Sequence, residues 1–180
     1  MSIDTQTEGW MKVIQDTPSR TGASFARGKS VQTFGTPPEF IKAVENRFGP
    51  LAYDLAADET NHKAVRWNGP GSVNPDSLVC QWELLAPMLC WLNPPFSNIT
   101  PWAKKCLETL AANERSKILL LTPAGVDANW FRDYVHGEAR VLFLNGRLCF
   151  DGKNPFPKGC LLSCYGWRAG YEVWDWRKSL

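Results

Sequence analysis

Stretches carrying one apolar stripe at helical spacing alternate with short, wholly apolar runs along this chain, and that alternation limits its fold more than any other feature. "TPPEFIKAVENRFG" (36–49) comes first, with Phe40, Ile41, Val44 and Phe48 on one helical face. Thr36 and Glu39 have the capping-box spacing. Pro37 and Pro38 fall in the first turn, where a missing N–H costs nothing, and Gly49 ends the helix. "PLAYDLAAD" (50–58) then reads as a short buried strand reaching Asp54, followed by a tight small-residue turn. "NGPGSVNPDS" is loop, "LVCQWELLA" reads as a helix, and "PMLCWLN" is a second buried strand ending at Asn93. Thr100 is expected to cap a helix from Pro101, with Trp102, Cys106, Leu107 and Leu110 on one side. "KILLLTPAG" is a strongly apolar strand, and Asp127 is placed to cap "ANWFRDYVHG" as a helix. Asn145-Gly146 between two apolar runs in "RVLFLNGRLCF" predicts a hairpin, and "KGCLLSCYG" one more strand.

Strands alternating with helices predict an α/β fold: a mostly parallel sheet with an antiparallel strand pair near the C-terminus. Such sheets bind ligands at the carboxyl ends of their strands. Asp54 and Asn93, 39 residues apart, both fall there.

The 180 residues suit one domain, expected over 31–180, with a flexible arm at 1–30 that includes the polar "TPSRTGASFARGKS". Apolar residues at 44% and charged residues at 21% argue for a real core and against disorder. The net charge of +2 does not by itself indicate a nucleic-acid partner, but residues 140–180 hold seven Lys or Arg against three Asp or Glu. The first residues lack the pattern of a signal peptide, and no run approaches membrane-spanning length, so a cytoplasmic protein without membrane contact is expected. Six cysteines form no C-x-x-C pair and there are two histidines, His62 and His136. Reduced core thiols and no metal site are the expectation.

The stretch "CWLNPPFSNITPW" (90–102) carries the chemistry. Prolines force the chain out of regular structure at Pro94. An amine on a heteroaromatic ring is a poor nucleophile because its lone pair is delocalised into the ring. Two acceptors aimed at its N–H groups draw it out of that state. Asn93 offers a side-chain oxygen and Pro94 a rigidly directed carbonyl, with Pro95 holding the turn. Phe96 can stack on a flat base, worth roughly 1–3 kcal/mol.

Asn93-Pro94-Pro95-Phe96 resembles the [N/D/S]-P-P-[Y/F/W] signature of amino methyltransferases that use S-adenosylmethionine (SAM). The ordered set "GTPPEF", "FGPLAYDLAAD", "WLNPPFSNITPWAKKC", "LLLTPAGVDANWF" and "FLNGRLCF" is similar to the small DNA N-6-adenine methyltransferases of bacteriophages and prophages, over roughly residues 30 to 166. The resemblance implies a single Rossmann-like SAM-dependent domain that methylates N6 of an adenine flipped out of DNA. It implies further that Asp54 and the backbone at Ala56 and Ala57 face the cofactor, and that Asp58 meets its ribose hydroxyls or its ammonium. Thr36 and Pro37 would contact the methionine end, where a helix N-terminus favours the carboxylate, and Asn93 would adjoin the cofactor as well. Many relatives have a glycine-rich F-x-G-x-G where this chain has "DLAAD".

Ser97 and Asn98 follow the turn and are candidates for touching the nucleotide. Arg27, Lys29, Arg147, Lys153 and Lys158 are candidates for phosphate contacts. The expected partner is DNA, bound by a monomer. Three other amines (cytosine N4, RNA adenine, a protein glutamine amide) and a non-catalytic SAM-fold DNA-binding protein stay open as alternatives.

Overall fold

The computed structural model describes residues 35–180. The expected arm at 1–30, with Arg27 and Lys29, lies outside the described residues. Seven strands form one sheet: β1 (Tyr53–Asp54), β2 (Arg66–Trp67), β3 (Leu89–Leu92), β4 (Lys117–Pro123), β5 (Arg140–Leu144), β6 (Cys160–Tyr165) and β7 (Gly170–Trp174). Their order is β2-β1-β3-β4-β6-β5-β7. Strand β6 is antiparallel to both its neighbours, β4 and β5, and every other pairing is parallel. This is the α/β, mostly parallel sheet of a Rossmann-like methyltransferase fold. Among the described residues three α-helices accompany it: α1 (Pro38–Phe48), α2 (Thr100–Ala112) and α3 (Asn129–Tyr134).

The apolar run of β4 is continuous because the sheet is covered on both faces. Ile118 and Leu120 point into one core with Leu55, Leu92, Ala103 and Cys106 of α2, and Trp130 and Phe131 of α3. Leu119 and Leu121 point into the other, with Phe40, Ala43 and Val44 of α1 and with Trp174 and Trp176. Alternate residues of a strand face opposite sides, so a doubly covered strand must be apolar throughout. Each such side chain contributes roughly 1.5–3 kcal/mol by leaving water.

The expected hairpin at Asn145-Gly146 does not form. Gly146 has φ +97° and the chain turns there, but residues 147–150 are not a strand. Both edges of β5 are already taken, by β6 on one side and β7 on the other. Residues 147–150 therefore fold inward, with Leu148 buried in the second core. The antiparallel pairing is made by β6, the "GCLLSCY" segment.

Local cues misled elsewhere too. "LVCQWELLA" forms two single turns of 3-10 helix, Ser77–Val79 and Trp82–Leu85. The buried Trp82 indole donates to the Ser77 carbonyl at 2.9 Å, which ties the two turns side by side. Thr36, Thr100 and Asp127 do not cap their helices. Pro37, Ile99 and Ala128 occupy those positions without side-chain hydrogen bonds. Strands β2 and β7 had no sequence cue: one has two residues, and the other is a half-exposed edge.

Candidate active site

Strands β1 and β3 are parallel neighbours, with Asp54 opposite Trp91, and the Leu55 N–H donates to the Trp91 carbonyl at 2.8 Å. Both segments therefore leave the sheet at one rim, as expected of Asp54 and Asn93. Pro94 is buried beneath that rim, Pro95 is exposed and Phe96 is half-buried.

The Asn93 amide donates from Nδ2 to Thr36 Oγ1 at 3.1 Å, across 57 residues of sequence. Thr36 is 2% exposed. Its hydroxyl, free of any capping duty, is what orients the asparagine. The other amide atom, Asn93 Oδ1, is buried with no hydrogen-bond partner among the described residues. Leaving a buried acceptor unpaired costs about 1–3 kcal/mol, so such a group calls for an explanation.

Phe96 belongs to an aromatic trio. Its ring centroid lies 5.7 Å from that of Phe150 at an interplanar angle of 78°, and 5.8 Å from that of Phe156. Phe150 and Phe156 meet edge-to-face at 5.3 Å. These contacts bring the loop after β5 against the Asn-Pro-Pro-Phe turn. Arg147 donates to the Pro157 carbonyl at 2.8 Å and so closes that loop. Lys153 and Lys158 are exposed on it. Asp151 accepts from the Lys153 and Asn154 amides, which holds its carboxyl below the usual range. Ser97 and Asn98 are exposed beside the turn.

Asp54 is 2% exposed. Its Oδ1 accepts from the Ala56 N–H at 3.2 Å and its Oδ2 from the Lys63 N–H at 2.9 Å. Burial pushes its carboxyl up to about 6, against the opposing pull of those two amides. The carboxylate thus organises the loop after β1 from within. Asp58 turns back on its own loop: Oδ1 accepts from the Thr60 amide at 2.8 Å and the Thr60 hydroxyl at 2.7 Å, which lowers its pKa. The Ala57 N–H donates to the Asn68 carbonyl at 3.0 Å. A Cβ on Gly69, at φ +138°, would overlap the Ala57 carbonyl, so only glycine lets the segment after β2 close on this turn.

Sequence reasoning missed several of these groups. Asn68 is buried, accepts from the Tyr53 hydroxyl at 2.8 Å and donates to Ser77 Oγ at 3.1 Å. Nothing marked it beyond the following Gly69-Pro70. Phe150 ended an apolar run read as strand. Lys63, half-buried, donates from Nζ to Asn61 Oδ1 at 2.8 Å. A Cβ on Gly35 would overlap Asn61 Oδ1 and stand 3.0 Å from Lys63 Nζ.

Residues 26–158 match the sequence model of the family described as DNA N-6-adenine-methyltransferase (Dam). The chain belongs to this family. The match to the Dam family takes in every candidate site residue named above and stops just short of β6. A DNA N-6-adenine-methyltransferase of Escherichia phage T1 is 29% identical over 118 residues, covering 66% of this chain and 47% of that protein. Another so named, from Haemophilus phage HP1 (strain HP1c1), is 23% identical over 125 residues, 68% of each chain. The aligned part thus spans about half the length of the phage T1 relative.

Proposed function

We propose that this chain methylates N6 of adenine in DNA, using SAM, on a base rotated out of the helix. The observation that carries the reading is Asn93 Oδ1, a buried acceptor that no described residue pairs. A side chain selected for stability would satisfy both ends of its amide. Here one end is spent on Thr36 and the other meets no partner among the described residues, as an N–H of the incoming amine requires. Membership of the Dam family and the names of the two phage relatives support adenine in DNA as the acceptor.

The residues present fit the cofactor. Ala56 and Ala57, half-buried at the turn after β1, present small side chains, the Thr36 hydroxyl adjoins Asn93, and Lys63 sets its ammonium against Gly35, the residue before Thr36. Ala56, Ala57, Thr36 and Lys63 would hold it, with Asp54 fixing the loop from below. SAM, when bound, supplies an electrophilic methyl group on a positively charged sulfur. Asn93 Oδ1 and the Pro94 carbonyl accept the two N–H groups of the adenine amine. That polarisation raises electron density on the nitrogen and draws its lone pair out of conjugation with the ring, towards the methyl group. Phe96, held edge-on by Phe150 and tilted against Phe156, supplies a face for the purine. Fixed acceptors of this kind act chiefly by position and by electrostatics that need no reorganisation. Extrusion is required because a stacked adenine cannot bring its amine to a buried acceptor.

Incubation with methyl-labelled SAM and unmethylated DNA, followed by digestion to nucleosides, tests the reading. Label in N6-methyladenine is the expected result. Label in N4-methylcytosine, or none in DNA, would refute it.

A further inference from the structure

The methionine end of the cofactor carries an α-carboxylate, and something at the rim must receive it. The start of α1 is poorly equipped to do so. Pro37 and Pro38 have no N–H, and the Phe40 and Ile41 N–H groups both go to the Pro37 carbonyl, at 3.0 and 3.1 Å. Helix N-termini bind anions through free N–H groups, and this one has few to offer.

A cation lies beside it instead. Lys63 reaches its ammonium to Asn61 Oδ1, hard against Gly35, the residue before Thr36. Thr36 in turn holds Asn93. A short line thus runs from the free acceptor of Asn93 through Thr36 and Gly35 to a positive charge. No carboxylate comes within ion-pair distance of Lys63 among the described residues. Asp54 and Asp58 lie near enough to act on its charge, yet burial prevails and lowers the ammonium below its usual range. A half-buried cation whose partner among the described residues is a neutral amide is costly by itself and is relieved by an anion.

We propose that Lys63, steadied by Asn61, is the cofactor's α-carboxylate contact. The assignment rests on the use of SAM proposed above and adds the group that orients the methionine arm. Gly35 belongs to the same device, since any side chain there would displace the Asn61–Lys63 pair.

Calorimetric binding of SAM and of decarboxylated SAM, without DNA, tests this. Decarboxylated SAM keeps the sulfonium and the ammonium and lacks only the carboxylate. Wild-type protein should bind SAM about 10–100-fold more tightly than the decarboxylated form, the range expected of a charge-assisted hydrogen bond. Lys63→Gln keeps a donor for Asn61 but removes the charge, so it should reduce that preference to near one by weakening SAM binding alone. Lys63→Arg should retain most of the preference. Equal weakening of both ligands by Lys63→Gln, or no weakening of either, would overturn the assignment while leaving SAM use intact. A wild-type protein that binds neither ligand would overturn the assignment and the proposed cofactor together.

Discussion

Asn93→Ala separates a catalytic asparagine from a turn asparagine, because the two roles predict opposite effects on rate and stability. The substitution removes the hydrogen bond to Thr36 Oγ1, worth about 0.5–1.5 kcal/mol. It also removes a buried, unpaired oxygen whose presence costs about 1–3 kcal/mol. These contributions oppose each other, and net stability should stay within about 1 kcal/mol of wild type, a Tm shift of at most about 4 °C. Turnover should behave otherwise. Loss of one well-placed acceptor from a transition state lowers the rate on the order of 10²–10³-fold, about 3–4 kcal/mol. Single-turnover methylation of a DNA duplex, with a thermal melt of the same sample, measures both. Asn93→Asp, which keeps an acceptor, should lie between. A variant Asn93→Ala that melts several degrees lower and methylates at the wild-type rate would show that the asparagine serves only the turn.

Phe96→Ala should weaken productive binding of the extruded base by about 1–3 kcal/mol, seen as a raised KM for DNA, whereas Phe96→Trp should keep much of the activity because a ring remains. Asp54 imposes a pH dependence of definite sign: its carboxyl rises from 3.8 to about 6 on folding, so its favourable contribution is complete below 3.8 and is lost as pH climbs through 6. Denaturant unfolding from pH 4 to 7 should accordingly show wild type losing roughly 2 kcal/mol relative to Asp54→Asn, and parallel profiles would refute the burial argument. Lys153→Ala and Lys158→Ala should each lower the slope of log affinity for DNA against log salt by about 0.9, with little change in SAM binding. Gly69→Ala should destabilise the fold by more than about 1 kcal/mol, since its φ of +138° and the facing Ala57 carbonyl leave no room for a methyl group.

The α/β class, the buried strands ending at Asp54 and Asn93, and the Asn-Pro-Pro-Phe turn were legible in the sequence alone. Each depends on interactions between near neighbours: apolar runs that only a doubly covered strand can bury, and prolines that end it. What the side chains at the rim do was decided by tertiary structure. Thr36 has the spacing of a helix cap, but its hydroxyl turns to an asparagine 57 residues away. Asp54 ends its strand, but that its two oxygens take the Ala56 and Lys63 amides follows from how the loop after β1 folds back. Asn145-Gly146 has the residues of a hairpin, but neighbours distant in sequence had already occupied both edges of β5. Lys63 looks like any loop lysine until Gly35 and Asn61 are folded against it. Hydrophobic periodicity is written into each segment, whereas the partner of a polar group depends on which segments the sheet order makes adjacent, and no local pattern encodes that order.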